Sequence, residues 1–288
     1  MSNLSWRVGD IIITKLVEAE IVAPFGAAYS AVPQGTPEQL RDIPWLMPDF
    51  VTADGDARLS VHALLVDAPS GRIVVDTCIG NDKPRAVATF DRLKTRFLAD
   101  LEAAGWDRER VDGVRCTHLH VDHVGWNTML VEDRWVPTFP NARYFMGREE
   151  FAHWEQDMSA PMSQQIMADS VRPVLDAGLA ELVETDAKIA PEIRLFATPG
   201  HTPGHVSVLI ESRGERAVIT GDLMHHPCQM AHPEWSSAFD TDQAQSRLTR
   251  HDFLARFADT PTLVIGTHFA GPTAGRVVRD GNAFRLDT

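Results

Sequence analysis

The sequence has 288 residues, of which 44% are hydrophobic and 23% charged, a composition typical of a globular protein with enough apolar side chains for a core. The formal charge is −13 without a cluster of Lys and Arg, which argues against nucleic acid as a partner. Apolar runs stay well short of the roughly 20 residues that a membrane span requires, so we expect no membrane partner. We predict one domain over residues 1–288.

The cysteines and the first residues bear on the compartment. Cys78, Cys116 and Cys228 are odd in number and widely spaced, which argues against a disulfide framework. Residues 1 to 10 lack a basic segment followed by an apolar one, so we expect no secretory signal. Both features predict a cytoplasmic protein. We interpret Cys116 and Cys228 as buried thiols that pack in the core.

The N-terminal part begins with apolar residues and then becomes irregular. Residues 6 to 22 predict one or two strands. Residues 23 to 58 are rich in proline and glycine and carry aromatic side chains, including Tyr29, Trp45 and Phe50. They predict an irregular segment that either wraps the surface or forms a wall of a binding pocket, and the sequence leaves both open.

Three elements follow. Residues 61 to 66 and 72 to 76 predict a hairpin that ends at Asp76. Residues 90 to 104 place apolar side chains at helical spacing before a glycine, which predicts a core-packing helix. An apolar run at residues 111 to 116 predicts a buried strand.

That strand leads into Cys-Thr-His-Leu-His-Val-Asp-His, which holds His118, His120, Asp122 and His123 within six residues. Imidazole and carboxylate groups are the ligands that zinc and similar divalent ions prefer. In extended backbone, side chains two apart point the same way, so His118 and His120 can bind one ion. Asp122 and His123 follow where the chain turns, which suggests a second ion. The alternative is a surface cluster of histidines that binds no metal, but so many ligand side chains within six residues make it improbable.

The second half alternates strands and helices. Strands are predicted at 143–146, 193–196, 206–211, 216–220 and 262–266, and helices at 147–157 and 241–257. Residues 159 to 178, with Met158 just before them, place methionines such as Met162 and Met167 at helical spacing. We interpret these as core filler, with a pocket lip or a dimer face as alternatives.

Three more candidate ligands lie downstream, each at the carboxyl end of a predicted strand and next to turn residues. They are His201 in Pro-Gly-His, Asp222 in Gly-Asp and His268 in Thr-His. Four groups from one loop cannot complete two sites, so we predict that these three supply the remaining ligands.

In order and approximate spacing, these motifs resemble the successive ligand motifs of the metallo-β-lactamase superfamily of binuclear hydrolases, over residues 61 to 268. The resemblance implies an α/β fold, the αββα sandwich of two mixed sheets flanked by helices. It implies two divalent ions, zinc before manganese, iron or cobalt. It assigns His118, His120 and His201 to the first ion, Asp122, His123 and His268 to the second, and Asp222 as the bridge. It also places Asp76 behind the ligands.

The resemblance further implies a reaction. A hydroxide shared by two ions is a good nucleophile near neutral pH, because each ion lowers the pKa of bound water. Asp122 is then a candidate to move a proton to the leaving group. The histidines outside the ordered set are interpreted as structural; they include His62, His205, His232 and His251.

Several branches of the superfamily fit less well. His120 stands where the oxygen-reducing di-iron branch carries Glu, and Asp122 with His123 argues against the single-iron thiol dioxygenases. Residues 269 to 288 are too few for the helical substrate domain of glyoxalase II enzymes, so a glutathione thioester is a less favoured substrate.

The remaining branch contains N-acyl homoserine lactonases and methyl parathion hydrolase. His225 stands where the best-known lactonases carry Tyr, and it could donate a hydrogen bond to a developing oxyanion. We predict a binuclear hydrolase that opens a lactone or cleaves a carboxylic ester. The alternatives are an organophosphate triester or aryl ester hydrolase, and a non-catalytic metal-binding or regulatory protein. We expect a homodimer.

Overall fold

The computed structural model describes residues 4–28, 30–157 and 160–288. Tyr29 and Met158, which the sequence analysis places in the irregular segment and beside the methionine-rich stretch, lie outside the described residues.

The described chain forms the following elements. The strands are β1 Ser5–Val8, β2 Ile11–Ala23, β3 Ala57–Ala68, β4 Gly71–Val75, β5 Gly113–Arg115, β6 Thr128–Val131, β7 Arg134–Pro137, β8 Arg143–Gly147, β9 Ala180–Val183, β10 Lys188–Ala190, β11 Ile193–Ala197, β12 Val206–Ser212, β13 Glu215–Ile219, β14 Leu263–Ile265, β15 Ala274–Asp280 and β16 Ala283–Asp287. The helices are α1 Pro37–Arg41, α2 Phe97–Ala103, α3 Arg148–Gln156, α4 Pro161–Ile166, α5 Arg172–Asp176, α6 Cys228–Ala231 and α7 Gln243–Phe257. A π-helical segment, Met167–Val171, joins α4 to α5.

Two mixed sheets organise the described residues. The first has seven strands in the order β1-β2-β3-β4-β5-β8-β9, and the second has seven in the order β10 to β16. The first sheet is antiparallel up to β4 and parallel from β4 onward, whereas the second is parallel only between β13 and β14. The predicted αββα sandwich is confirmed.

The central strands are buried on both faces, which explains their unbroken apolar sequences. In β3, Leu64 and Val66 face the second sheet and pack among residues such as Val208 and Ile219. Ala63 and Leu65, which alternate with them, belong to a different cluster on the outer face of the first sheet. The alternation of side chains along a strand therefore supplies two core layers from one segment.

Helices cover the outer faces. Leu101 of α2 packs on the first sheet, and Leu254 of α7 packs on the second. Phe25, Leu40 and Phe50 of the irregular N-terminal segment pack in the same cluster as α7. The methionines Met162 and Met167 pack against the outer face of the first sheet.

The predicted helix over residues 90 to 104 is wrong in its first half, because α2 begins only at Phe97. Arg92 has a φ of +46°, which is incompatible with a right-handed helix. The side chain of Asn81 accepts the Thr95 N–H at 2.7 Å and donates to the Thr95 carbonyl at 3.0 Å. These contacts hold residues 92 to 96 as a loop.

None of the described helices is long and apolar enough to cross a membrane. Cys78, Cys116 and Cys228 are free and buried, in agreement with the interpretation of Cys116 and Cys228 as core thiols.

Candidate metal centre

The centre lies where parallel strands end. Neighbouring strands β4 and β5 run parallel, so Asp76 and His118, which follow them, meet at one edge of the first sheet. Strands β13 and β14 are likewise parallel neighbours, and they bring Asp222 and His268 to one edge of the second sheet.

Backbone contacts join these two edges. The Ser60 N–H of β3 donates to the His268 carbonyl at 3.0 Å, and the Val206 N–H of β12 donates to the Thr117 carbonyl at 3.2 Å. Ligands that follow strands of different sheets therefore face one another across the end of the sandwich.

The structure brings all seven predicted ligands together in two groups. The ligand atoms of His118, His120, His201 and Asp222 lie within 4.8 Å of one another, and so do those of Asp122, His123 and His268. This division matches the assignment to two ions that the motif resemblance implies, with Asp222 placed in the first group.

Asp222 also reaches the second group. Its Oδ2 atom lies 3.5 Å from His201 Nε2 and 3.2 Å from His123 Nε2, while Oδ1 lies 3.2 Å from His268 Nε2. One carboxylate thus contacts imidazoles of both groups, which is the position that a bridging ligand requires.

The protonation states favour metal binding by the first group. Burial lowers the pKa of His118 and of His201 well below the usual range, and it lowers the pKa of His120 to about 4. These imidazoles are therefore neutral near pH 7, and each has a lone pair for an ion.

The second group attracts positive charge. Burial opposes the protonation of His123, yet the carboxylates of Asp222, Asp76 and Asp122 outweigh it and raise the pKa of His123 well above its usual value. Burial also opposes the ionisation of Asp222, but nearby imidazoles, His123 first, hold its pKa well below the usual range. A divalent ion would compete with the proton on His123 for the negative potential of these carboxylates.

One buried atom lacks a partner that an ion would supply. Among the described residues, His118 Nε2 is buried without a hydrogen-bond partner. Leaving such a group unsatisfied costs about 1–3 kcal/mol. With nitrogen and carboxylate donors around it, the pocket fits divalent metal ions of the zinc type.

Outer hydrogen bonds orient most of the imidazoles that are predicted to bind metal. His118 Nδ1 lies 3.1 Å from Thr117 Oγ1, and His123 Nδ1 lies 2.8 Å from Asp76 Oδ2. His201 Nδ1 lies 3.0 Å from Asp240 Oδ1, and His268 Nδ1 lies 3.1 Å from the Ser60 carbonyl oxygen. Such partners keep Nε2 free to face the ion. Asp76 lies behind the ligands, where the resemblance places it. Asp240 is not among the predicted residues, because its one signal in the sequence is a position just before a predicted helix.

Asp76 holds two of the ligand segments at once. It is buried with a φ of +57°, and its two oxygens accept the Thr117 N–H at 2.7 Å and the Thr117 hydroxyl at 2.8 Å. Because Thr117 precedes His118 and Asp76 also contacts His123, this carboxylate fixes both segments relative to β4.

The two proposed catalytic side chains lie beside the ligands. Asp122 has a side chain that is 19% exposed, and its Oδ2 lies 3.5 Å from His268 Nε2. His225 Nε2 lies 3.3 Å from Asp222 Oδ2, and its ring is stacked on His268 with centroids 5.8 Å apart. Within the described residues, His225 Nδ1 is buried without a hydrogen-bond partner.

The histidines that the sequence analysis interprets as structural lie outside the two groups. His205 Nε2 accepts the backbone N–H of Asp222 at 2.8 Å, so it supports Asp222 from behind. His62 Nδ1 lies 3.0 Å from the hydroxyl of Ser60. His232 and His251 lie near the surface.

Known proteins share this fold. The family model described as "Metallo-beta-lactamase superfamily" matches residues 56–268. An N-acyl homoserine lactonase of Bacillus sp is 25% identical over 205 residues, which cover 67% of this chain and 75% of the relative. The solved structure of AidC, titled a dizinc quorum-quenching lactonase in complex with a product, matches with a TM-score of 0.81 and 23% identity, over 99% of this chain and 96% of AidC. The hydrolase AbOPH matches with a TM-score of 0.81 and 24% identity, over 99% of this chain and 97% of AbOPH.

Proposed function

The chain is a metal-dependent hydrolase of the metallo-β-lactamase superfamily, and from that membership we propose that it opens a lactone ring or cleaves a related carboxylic ester. N-acyl homoserine lactones are the substrates to test first, because curated relatives carry the name N-acyl homoserine lactonase.

The position of Asp222 is the observation that carries the proposal. It lies between an imidazole-rich group and a second group that contains Asp122, and it contacts histidines of both. A purely structural metal site needs one closed set of ligands, whereas two groups that share a carboxylate suit a catalytic pair of ions. The same arrangement argues against a non-catalytic binding protein.

Two divalent ions held by these residues would make a hydroxide nucleophile available near neutral pH and polarise the carbonyl of the substrate. The protein's own contribution is to keep the imidazoles of His118 and His201 neutral and the carboxylate of Asp222 ionised. Burial of these ligands also limits competing contacts with water.

Two residues would act on the substrate. In ring opening, the bond between the acyl carbon and the ring oxygen breaks, and that oxygen needs a proton. The partly exposed carboxylate of Asp122 is placed to carry this proton. His225, with Nε2 facing Asp222, is placed to donate a hydrogen bond to the carbonyl oxygen as negative charge develops.

Three finer features belong to the proposal. We propose zinc as the native ion because the donors are imidazole and carboxylate and AidC is titled a dizinc lactonase. Metal analysis of purified protein would distinguish zinc from manganese, iron and cobalt. We propose a homodimer, which light scattering after size exclusion would test, and a cytoplasmic location, which fractionation of the native host would test.

The decisive experiment is a substrate panel on protein of known metal content. It contains N-acyl homoserine lactones, aryl esters, methyl parathion and a glutathione thioester. Asp222→Ala removes the shared carboxylate, and Asp252→Ala, at a side chain that is 88% exposed on α7, is the matched control. We expect lactone turnover that is lost only in Asp222→Ala.

Other outcomes would change the proposal. Turnover of aryl ester or phosphotriester alone would identify the alternative hydrolase. Binding of two ions without hydrolysis of any panel member would reject the substrate class and leave the metal centre in place.

A further inference from the structure

Helix α3 contributes a buried carboxylate, Glu150, that the proposed reaction does not use. Its side chain is 1% exposed, and the ion pairs among the described residues do not include it. Burying a carboxylate without a cationic partner is costly unless hydrogen bonds compensate it. The compensation comes from three N–H groups.

Two of these N–H groups belong to the loops that carry the first group of ligands. Glu150 Oε1 accepts the Leu119 N–H at 3.0 Å, and Oε2 accepts the Gly204 N–H at 3.1 Å. Leu119 lies between His118 and His120, and Gly204 follows His201 by three positions. One carboxylate thus connects the two loops whose side chains must converge on one ion.

The third donor connects the carboxylate to a ligand ring. Trp154 Nε1, one helical turn after Glu150, donates to Oε1 at 2.6 Å. The indole ring packs edge-on against the imidazole of His120, with centroids 5.3 Å apart. Within the described residues, His120 lacks the outer hydrogen bond that orients the other ligating imidazoles, so packing by Trp154 takes its place.

The loop of His201 is shaped for this contact. A Cβ atom at Gly204 would lie 2.2 Å from the Glu150 backbone nitrogen, closer than atoms can approach. Glycine therefore allows the loop to reach α3.

We propose that Glu150 is a positioning residue that locks the two loops together and thereby sets the affinity for the first ion without touching it. The proposal rests on the metal centre of the proposed function. It extends that function by making α3, which supplies no ligand, a determinant of metal occupancy.

The test compares Glu150→Gln with Glu149→Gln, an exposed neighbour on the same helix. The glutamine oxygen can still accept from Leu119, but its NH₂ group then faces the Gly204 N–H, so the His201 loop is released. We expect about a 10- to 100-fold weaker affinity for one ion, measured by competition with a chromophoric chelator. The second ion keeps its affinity, and the Co²⁺ absorption spectrum of the weakened site changes. Glu149→Gln should match the wild type.

Wild-type affinities for both ions in folded Glu150→Gln, with an unchanged Co²⁺ spectrum, would overturn the proposal. If that variant does not fold, Trp154→Phe decides, because it removes one donor to Oε1 and keeps a ring against His120. A smaller loss at the same ion is expected, and unchanged affinity overturns the proposal. The readout needs no substrate, so failure of lactone turnover would reject only the proposed function. A wild type that binds no ions would reject the metal centre itself.

Discussion

Asp240 Oδ1 lies 3.0 Å from His201 Nδ1, on the side of the imidazole that faces away from the other ligands. The second oxygen of Asp240 accepts the Ser237 N–H at 3.0 Å and lies 3.7 Å from Arg250 Nη2. Burial opposes the ionisation of Asp240, but the hydrogen bond from His201 and the nearby Arg250 keep its pKa below the usual value. His201 is thus oriented by an ionised carboxylate.

Arg250 extends this contact to the segment of Asp222, the proposed bridging residue. It is fully buried on α7 and donates to the Leu223 carbonyl at 3.0 Å, immediately after Asp222 in the chain. It also donates to the Pro233 carbonyl at 2.8 Å. One arginine outside the metal groups therefore links the segment of Asp222 to the acceptor of His201.

Replacing Asp240 by Asn should weaken the first ion selectively. The asparagine amide has only one acceptor oxygen, whereas His201 and Ser237 each need an acceptor at this position. We expect about a 10- to 100-fold loss of affinity for one ion, by chelator competition. Asp252→Asn, on the exposed face of α7, is the control. Equal affinities in the two variants would show that the contact does not orient His201.

Replacing Asp76 by Asn should weaken the opposite ion. Asp76 accepts from His123 and from two donors of Thr117, so the amide must leave one of them unpaired. We expect a weaker second ion and a free energy of unfolding lower by about 1–3 kcal/mol, because the unpaired group is buried. When Asp76→Asn and Asp240→Asn are measured side by side, each variant should lose affinity for a different ion. Weakening of the same ion in both would contradict the assignment of the ligands to two ions.

Removing His225 should reduce turnover and leave metal binding intact. If Nε2 stabilises the developing oxyanion, His225→Ala should lower kcat about 100-fold. His251→Ala, at a side chain that is 65% exposed, is the control. The metal content of each variant must be measured, because His225 also lies 3.3 Å from Asp222. Unchanged kcat in His225→Ala would remove it from the mechanism.

Chelation should destabilise the fold. Ions that bind only the folded state stabilise it by mass action, about 2.7 kcal/mol for one ion at 100 times its dissociation constant. We expect Tm to fall on treatment with a chelator and to recover when zinc is added back. Asp222→Ala should gain less stability from zinc than the wild type. A Tm that is independent of metal would argue against these groups as tight metal ligands.

Stability should rise with pH above about 8 because of Lys15. Burial lowers the pKa of this amine to about 8, partly offset by Glu20, while the unfolded chain titrates near the ordinary value of 10.5. Between these values the unfolded state binds more protons, so raising the pH favours the folded state. The gain is at most about 3 kcal/mol. Burial also lowers the pKa of Lys83, to about 7, so Lys83 contributes in the same direction in both proteins. Urea unfolding at pH 7.5 and 9.5 should therefore show a smaller gain in Lys15→Met than in the wild type; equal gains in both would contradict the role of Lys15.

The sequence by itself determined the set of candidate ligands, and the resemblance of their motifs to a known family implied the fold class. The motif from His118 to His123 is contiguous, and His201, Asp222 and His268 each follow an apolar strand signal, so local patterns are enough to find them. The hairpin β15–β16 also has a local signal, the two-residue turn Gly281-Asn282 with a φ of +59° at Gly281. The start of α7 also has a local signal, because Asp242 caps the helix by accepting the Gln245 N–H at 3.0 Å.

Only the tertiary structure decided what holds those ligands in place. Ser60 accepts from His268 across 208 positions, and Glu150 contacts Gly204 across 54. No periodicity or motif pairs residues at such separations, because the contacts arise when the ends of two sheets meet. The same applies to residues 92 to 96, where Asn81 overrides a helical pattern. The residue types and their local patterns identify the candidate ligands, while the packing of the two sheets determines how these side chains are oriented.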